Sequence, residues 1–459
     1  MNPIRAYATA ALLSCGISQA AETWTPLFDG KSIDSWVKRG GNASYAIENG
    51  EIVGTSTLNT GNTFLCTPRD YSDFVLEYEF KVDPKLNSGV QIRSQSFDKV
   101  TEIPWAGKTI KVPANRVHGY QIEIDPDPKR ARWWSAGIFE EAARGWLYPG
   151  ALGGDDKAFS QTGGEIFKQE GWNKVRVEAI GDHIRTSLNG EPRADIRDPR
   201  VASGFIGLQV HGIGNDKSKD GTQVRWRNLR IQEVEAPAAN TLTDEEKSEG
   251  WTLLWDGKTT EGWRGAKLEA FPTGGWNIKD GVLSVNETGG AESAAGGDII
   301  TKKKYADFEL KVDFRITPGA NSGIKIFVDP ELNKGEGSSI GPEFQILDDV
   351  RHPDAKLGKN GNRTIGSLYD LITAPKNKTV QPIGEWNYAH IIAKGNKVEF
   401  RLNGKTTVSF ERGTDQWREL VAGSKYSVWP KFGELEKGHI LLQDHGNHVS
   451  FRNIKLREL

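Results

Sequence analysis

Apolar and polar side chains alternate along most of this chain. Phe74-Val75-Leu76-Glu77-Tyr78-Glu79-Phe80-Lys81-Val82 alternates over most of its length, and residues 174–179, 224–231, 308–314 and 398–402 follow the same rule. A period of two marks a strand with one buried face. Turn signals fall between such runs: Glu48-Asn49-Gly50, Leu188-Asn189-Gly190, Lys279-Asp280-Gly281 and Leu402-Asn403-Gly404. Asn-Gly and Asp-Gly supply the positive φ angles that a tight hairpin needs. Long helical periodicity is nearly absent. Many short strands joined by tight turns predict an all-β chain of the jelly-roll β-sandwich kind. Such sandwiches carry ligand sites on a concave sheet face or in loops at one end.

The pattern occurs twice. Trp24-Thr25-Pro26-Leu27-Phe28-Asp29-Gly30-Lys31 returns as Trp251-Thr252-Leu253-Leu254-Trp255-Asp256-Gly257-Lys258. Tyr71-Ser72-Asp73-Phe74 returns as Tyr305-Ala306-Asp307-Phe308, Asn87-Ser88-Gly89 as Asn321-Ser322-Gly323, and Gln121-Ile122 as Gln345-Ile346. Trp172-Asn173, Leu188-Asn189-Gly190, Gln209-Val210-His211-Gly212 and Arg227-Asn228-Leu229 have partners at Trp386-Asn387, Leu402-Asn403-Gly404, Gln443-Asp444-His445-Gly446 and Arg452-Asn453-Ile454. The period is a whole domain rather than a solenoid unit. A chain of 459 residues is also too long for one core. The division is a first domain at 23–234, a linker at 235–248 and a second domain at 249–459. Within the linker, Thr243-Asp244-Glu245-Glu246 reads as a capped helical turn.

Composition narrows the class. Hydrophobic content of 37%, with 26% charged residues, is that of a globular chain, and no run spans a membrane. A net charge of −2 gives no reason to expect nucleic acid or an anionic membrane as partner. Residues 1–22 read as an export signal, with Arg5 before a short apolar run and Ala20 at its end. Leu12-Leu13-Ser14-Cys15-Gly16 offers a lipoprotein alternative, anchored through Cys15. Export implies a periplasmic or extracellular protein. The mature chain then keeps Cys66, with or without Cys15, so no structural disulfide is expected. Fifteen Trp fit sandwich cores, or platforms on which sugars stack. Neither a nucleophile elbow, nor a phosphate loop, nor a dinucleotide fingerprint is present, which argues against esterase, kinase and dehydrogenase readings.

Several side chains can carry chemistry. In Tyr120-Gln121-Ile122-Glu123-Ile124-Asp125, alternation puts Gln121, Glu123 and Asp125 on one face and the apolar residues on the other. The second copy offers Glu343, Gln345 and Asp349, with carboxylate and amide at shifted positions. Arg93 alternates with Gln91 and is a candidate oxyanion partner. Lys325 and Phe327 occupy the matching places, so the two sites differ. His211 and His445 coincide, each sharing a face with a glutamine (Gln209, Gln443), and a neutral His there can be a general base or a metal ligand. Tyr369-Asp370 matches Phe139-Glu140. Trp134 and Trp146 are candidate walls for a sugar ring. The loop 348–354, with His352 and Asp354, is rich in ligating atoms. Each reading has a plainer rival: a solvated sheet face, a loose ion pair, or a His that ties down a loop.

In this order, and seen twice, these motifs resemble the 3-keto-disaccharide hydrolase family, also described as 3-keto-glucoside 1,2-lyases and 3-keto-2-hydroxy-glucal hydratases. The resemblance covers both halves of the mature chain. It implies concanavalin-like jelly rolls and exported enzymes that process an oligosaccharide or glycoside. The substrate is first oxidised at C3 by a separate sugar 3-dehydrogenase. The ketone acidifies the C2 proton, a base removes it, and the C1 substituent leaves. Such a site needs a base, a cation or donor at the C3 oxygen and an acid, but no redox cofactor of its own. In copy one this implies Glu123 or His211 as base, Arg93 at the oxyanion, and Glu140 and Gln121 as positioning groups. In copy two it implies Glu343, Gln345, Tyr369, Asp370 and His445, with Lys325 as the cation. A divalent metal held by His and carboxylate is another way to hold the oxyanion. Phe327 in place of Arg93 puts the activity of copy two in question. The competing class is a tandem glycan-binding module without catalysis.

Overall fold

The computed structural model describes residues 23–105, 108–127, 132–290, 296–335, 337–429 and 431–459. The candidate export signal at 1–22 lies outside them. Two all-β sandwiches are built to one plan, each around its own hydrophobic core. In the first, a back sheet runs in the order Glu191–Arg197, His183–Leu188, Asn173–Ile180, Phe74–Val82, Gln223–Glu233, Glu51–Thr55, Ser44–Glu48, with Thr25–Pro26 added on Gln223–Glu233. In the second, Lys405–Glu411, Lys397–Leu402, Asn387–Lys394, Phe308–Ile316, Val449–Glu458, Val282–Val285 and Trp276–Lys279 repeat that order, with Thr252–Leu253 in the added place. All pairings are antiparallel.

The front sheets differ. Domain one has seven strands: Gly145–Tyr148, Ile138–Glu141, His118–Ile124, Ser88–Gln95, Phe205–Val210, Thr63–Cys66 and Val37–Gly40. Domain two keeps the last five places, as Glu343–Leu347, Asn321–Val328, His439–Leu442, Ile299–Thr301 and Trp263–Gly265. A loop-rich segment replaces the outer two strands, touching the sheet through the bridge of Leu368 with Phe344 and the backbone hydrogen bonds beside it. Conversely, a short connection between Arg197 and Phe205 in domain one becomes a helical excursion in domain two, through Asp415–Ala422 and Lys425–Val428.

Most of the repeated motifs are scaffold. Asn49, Asn189, Asp280 and Asn403 have φ of 51°, 54°, 51° and 49°, and a positive-φ Gly follows each, which is the hairpin geometry those residues favour. The Trp-Asn and Leu-Asn-Gly motifs meet in space. Asn189 accepts from Lys174 N and donates to Asn173 Oδ1, and Asn403 does the same with Tyr388 N and Asn387 Oδ1. Arg-Asn-Leu/Ile marks a bulge in the central back strand, with Asn228 and Asn453 at φ of 52° and 50°. The Asp of the Tyr-x-Asp-Phe motif accepts Gly181 N in one copy and Gly395 N in the other. The linker turn is capped as its sequence predicts, with Thr243 and Glu246 exchanging hydrogen bonds. Among the described residues no helix is long and apolar enough to cross a membrane.

Candidate active site

Strand register corrects the alignment of the two copies. Gly89 pairs with Glu123, whereas Gly323 pairs with Gln345. Gln121 therefore corresponds to Glu343, and Glu123 to Gln345. The sequence match of Gln121 with Gln345 was two residues out, and the copies have exchanged amide and acid. The same register puts Gln91 opposite Gln121 and Lys325 opposite Glu343. Phe139 continues the first row, opposite Gln121, and Tyr369 the second, its N–H donating to Glu343 O. One row across the front sheet thus reads Gln91, Gln121, Phe139 in domain one and Lys325, Glu343, Tyr369 in domain two.

In domain two this row opens into a cavity of about 220 Å³. Lys325, Glu343, Gln345, Tyr369, Gln443 and His445 all line it. Lys325 and Glu343 are both nearly inaccessible, at 4% exposure each, with Nζ 3.8 Å from Oε2. Lys325 also donates to Ser338 Oγ and Ser339 O. Behind it Asp298, equally buried, accepts from Ser338 and from Ser339 N. Burial pushes the Asp298 carboxyl up, and the Lys325 charge works against that. Tyr369 donates to Asp354 Oδ2 at 2.8 Å. The Tyr369 hydroxyl is itself held well above its ordinary pKa, first by burial and then by nearby Glu343. The His445 ring leaves Nδ1 buried without a partner among the described residues and meets His352 edge-on at 5.9 Å. Burial, then the neighbouring His445, lowers the pKa of His352.

Domain one arranges its face differently. Gln121 Oε1 accepts from Gln91 Nε2 and Gln209 Nε2 at 2.6 and 2.7 Å, and Gln121 Nε2 donates to Glu123 Oε2 at 2.9 Å. Asn87 holds the other Glu123 oxygen at 2.6 Å. Burial raises the Glu123 pKa to about 7, against the pull of these two donors. His211 is tied by Nδ1 to Gly212 O, and burial lowers its pKa. Asp125 is paired with Arg132, whose guanidinium lies over Trp134 and Trp146.

The Glu123 value has a measurable consequence. An unfolded Glu titrates near 4.5, the folded one near 7. In between, the unfolded chain has released a proton that the folded chain keeps, so rising pH favours unfolding. Domain one should lose up to about 3 kcal/mol of stability between about pH 5 and pH 8. Glu123→Gln should flatten that slope, as thermal unfolding of both proteins at the two pH values would reveal.

Three expected site residues lie elsewhere. Arg93 sits at a bulge with φ of 44°, which turns its side chain inward while Ser94 takes the outer face beside Gln91. Its guanidinium, wholly buried, donates to Ser72 O, Gly181 O and Asp73. It is not an oxyanion partner. Phe327 has the same bulge, at φ of 51°, and the missing cation arrives from the turn that follows Lys405–Glu411. Arg412 lies 3.5 Å over the Phe327 ring and donates to Gly395 O, the counterpart of Gly181 O, and to Gly433 O and Leu435 O. Arg93 and Phe327 are both buried, so their difference leaves the open face of the sheet unchanged. Arg412→Met strands these carbonyls and should destabilise domain two by about 3 kcal/mol, read as a lowered melting transition. Glu140 pairs inward with Arg144, which also binds Asp198, because it lies opposite the core residue Tyr120. Asp370, at φ of 59°, is spent on Arg363 and Lys425 N.

The loop 348–354 is likewise committed. Asp354 binds Arg363 and Tyr369, and Asp349 binds Lys378 and Ile365 N. Among the described residues no three His, Cys, Asp or Glu converge as metal ligands. Sequence reasoning missed Lys425, Tyr426 and Trp429, which line the cavity from the helical excursion. The signal was negative: this stretch has no echo in copy one.

Both halves are jelly-roll β-sandwiches, and the second carries a cavity on its front sheet that Lys325 and Glu343 line. The chain belongs to the family described as 3-keto-alpha-glucoside-1,2-lyase-like domain, which matches it twice, at residues 23–232 and 250–457. A Bacteroides thetaiotaomicron protein named 3-keto-disaccharide hydrolase is 38% identical over 233 residues, 46% of this chain and 79% of its own. Two Parabacteroides distasonis crystal structures described as candidate glycosyl hydrolases share 32% and 27% identity, cover 48% and 43% of this chain and 99% of their own, and have TM-scores of 0.43 and 0.33.

Proposed function

We propose that domain two cleaves 3-keto-glycosides by elimination across C1 and C2. The observation that carries this reading is the buried Lys325–Glu343 pair, 3.8 Å apart, on the cavity wall. The C2 proton and the C3 oxygen of a 3-keto sugar sit on adjacent carbons, so a base and a cation a few ångströms apart can address both at once. Glu343 takes the C2 proton, and the C2–H electrons move into the C3 carbonyl. Lys325 holds the resulting enolate oxygen. The enolate then collapses, forming the C1–C2 double bond as the C1–O bond breaks, and His445 protonates the departing oxygen. Water added back across C1–C2 gives the free 3-keto sugar. Trp429, half-buried at the cavity wall, offers a platform for the leaving group. A sugar 3-dehydrogenase acts upstream, and the protein works outside the cytoplasm once residues 1–22 have been removed.

Turnover in D2O tests the step. Elimination followed by hydration puts deuterium at C2 of the released 3-keto sugar at the earliest time points, ahead of exchange in a control of product alone. A product with protium at C2 would overturn the proposal in favour of direct hydrolysis.

A further inference from the structure

Domain one carries the same front face with its chemistry replaced residue by residue. Where domain two has Lys325, Glu343 and Tyr369, the matching row has Gln91, Gln121 and Phe139. The row then gains a member, because Trp146 lies opposite Phe139 on the extra outer strand. Amide, amide, aromatic, aromatic is a binding composition rather than an acid–base one. The cation of the row is gone. Nearby Arg132 and Arg116 are paired with Asp125 and Glu141. Glu123 has both oxygens held by amides.

What remains suits an uncharged, hydroxyl-rich ring. Trp134, Trp146 and Phe139 form a half-buried aromatic wall in which Trp146 is edge-on to both neighbours, at centroid separations of 4.5 and 5.3 Å, and the Arg132 guanidinium lies over the two Trp rings. Carbohydrate rings present apolar C–H faces that lie well on such walls, while amides donate to and accept from their hydroxyls. Gln209 supplies an independent sign. It is wholly buried, its Nε2 is used by Gln121, and its Oε1 has no partner among the described residues. A buried amide oxygen left in this state is costly and calls for a donor, such as a hydroxyl or the water that accompanies one.

We infer that the front face of domain one is a binding site for a neutral pyranoside unit, which tethers a glycan while domain two performs the chemistry. This rests on domain two being the catalytic copy. Two linked sites raise the local concentration of substrate at the second without any new contact there.

The test uses the full chain carrying Glu343→Gln, titrated calorimetrically with unoxidised cellobiose and maltose. One equivalent of at least one disaccharide should bind at millimolar concentration. Binding should vanish with Trp146→Ala added and persist with Trp429→Ala added. Trp146→Phe, which keeps an aromatic ring, should retain part of the affinity and guards against a misfolded alanine variant. No binding, or binding lost with Trp429→Ala and kept with Trp146→Ala, overturns the inference. So does a Glu343→Gln chain that still turns over a soluble 3-keto-glucoside until Glu123→Gln is added, since domain one would then be catalytic. If the unmodified chain turns over no 3-keto-glycoside, the catalytic proposal fails instead, and the titration still reports on domain one.

Discussion

Glu343→Gln should lower kcat on a 3-keto-glycoside by about a hundredfold to ten-thousandfold, the range that a positioned general base supplies. The substitution is chosen because the protein already contains it. Gln121 fills the corresponding place in domain one and is buried there, at 2% exposure. The fold therefore tolerates the amide, and lost activity would report on chemistry rather than on collapse. KM should change little, because an amide keeps the volume and one acceptor of the carboxylate. Stopped-flow measurement of kcat and KM, beside a melting curve, checks both parts. A variant that retains kcat while losing substrate affinity would make Glu343 a binding residue and would move the base to His445.

Lys325→Gln is the companion experiment, since Gln91 stands at the matching place. Losing one donor to a developing oxyanion costs about a hundredfold to a thousandfold in kcat. A second effect comes through Asp298, whose carboxyl burial pushes up and the Lys325 charge pulls back down. With the cation removed, Asp298 should take up its proton at higher pH than in the parent, so the variant should gain stability as pH falls relative to the parent. Activity and melting profiles across pH separate the two effects. Lys325→Arg keeps the charge and should recover part of the rate.

The sequence made the sandwich architecture and its duplication legible because both leave local signals. Strand alternation, Asn-Gly turns and capping residues act within a few positions of themselves. The repeated motifs, however, point mainly at the scaffold. Asn173 with Asn189, Asp73 with Gly181 and the Asn228 bulge recur because the fold needs them. The site emerged where the copies differ, and there sequence matching misled in two ways. Gln121 was aligned with Gln345 by identity, while hydrogen-bond register pairs it with Glu343. Arg93 was assigned an outer face by simple alternation, but a bulge at positive φ turned it inward. Bulges break the period of two without any marker in composition. Arg412, which replaces Arg93 in space from a distant turn, and Trp429, from an excursion without an echo, depend on tertiary proximity alone.

The most direct test of the account is release of a chromogenic group from a 3-keto-glucoside and from its unoxidised parent, by the same purified protein. Removal of a C2 proton needs the C3 ketone, so the account predicts release from the keto sugar alone. Equal release from the parent glucoside, or none from either anomer of the keto sugar, would contradict it.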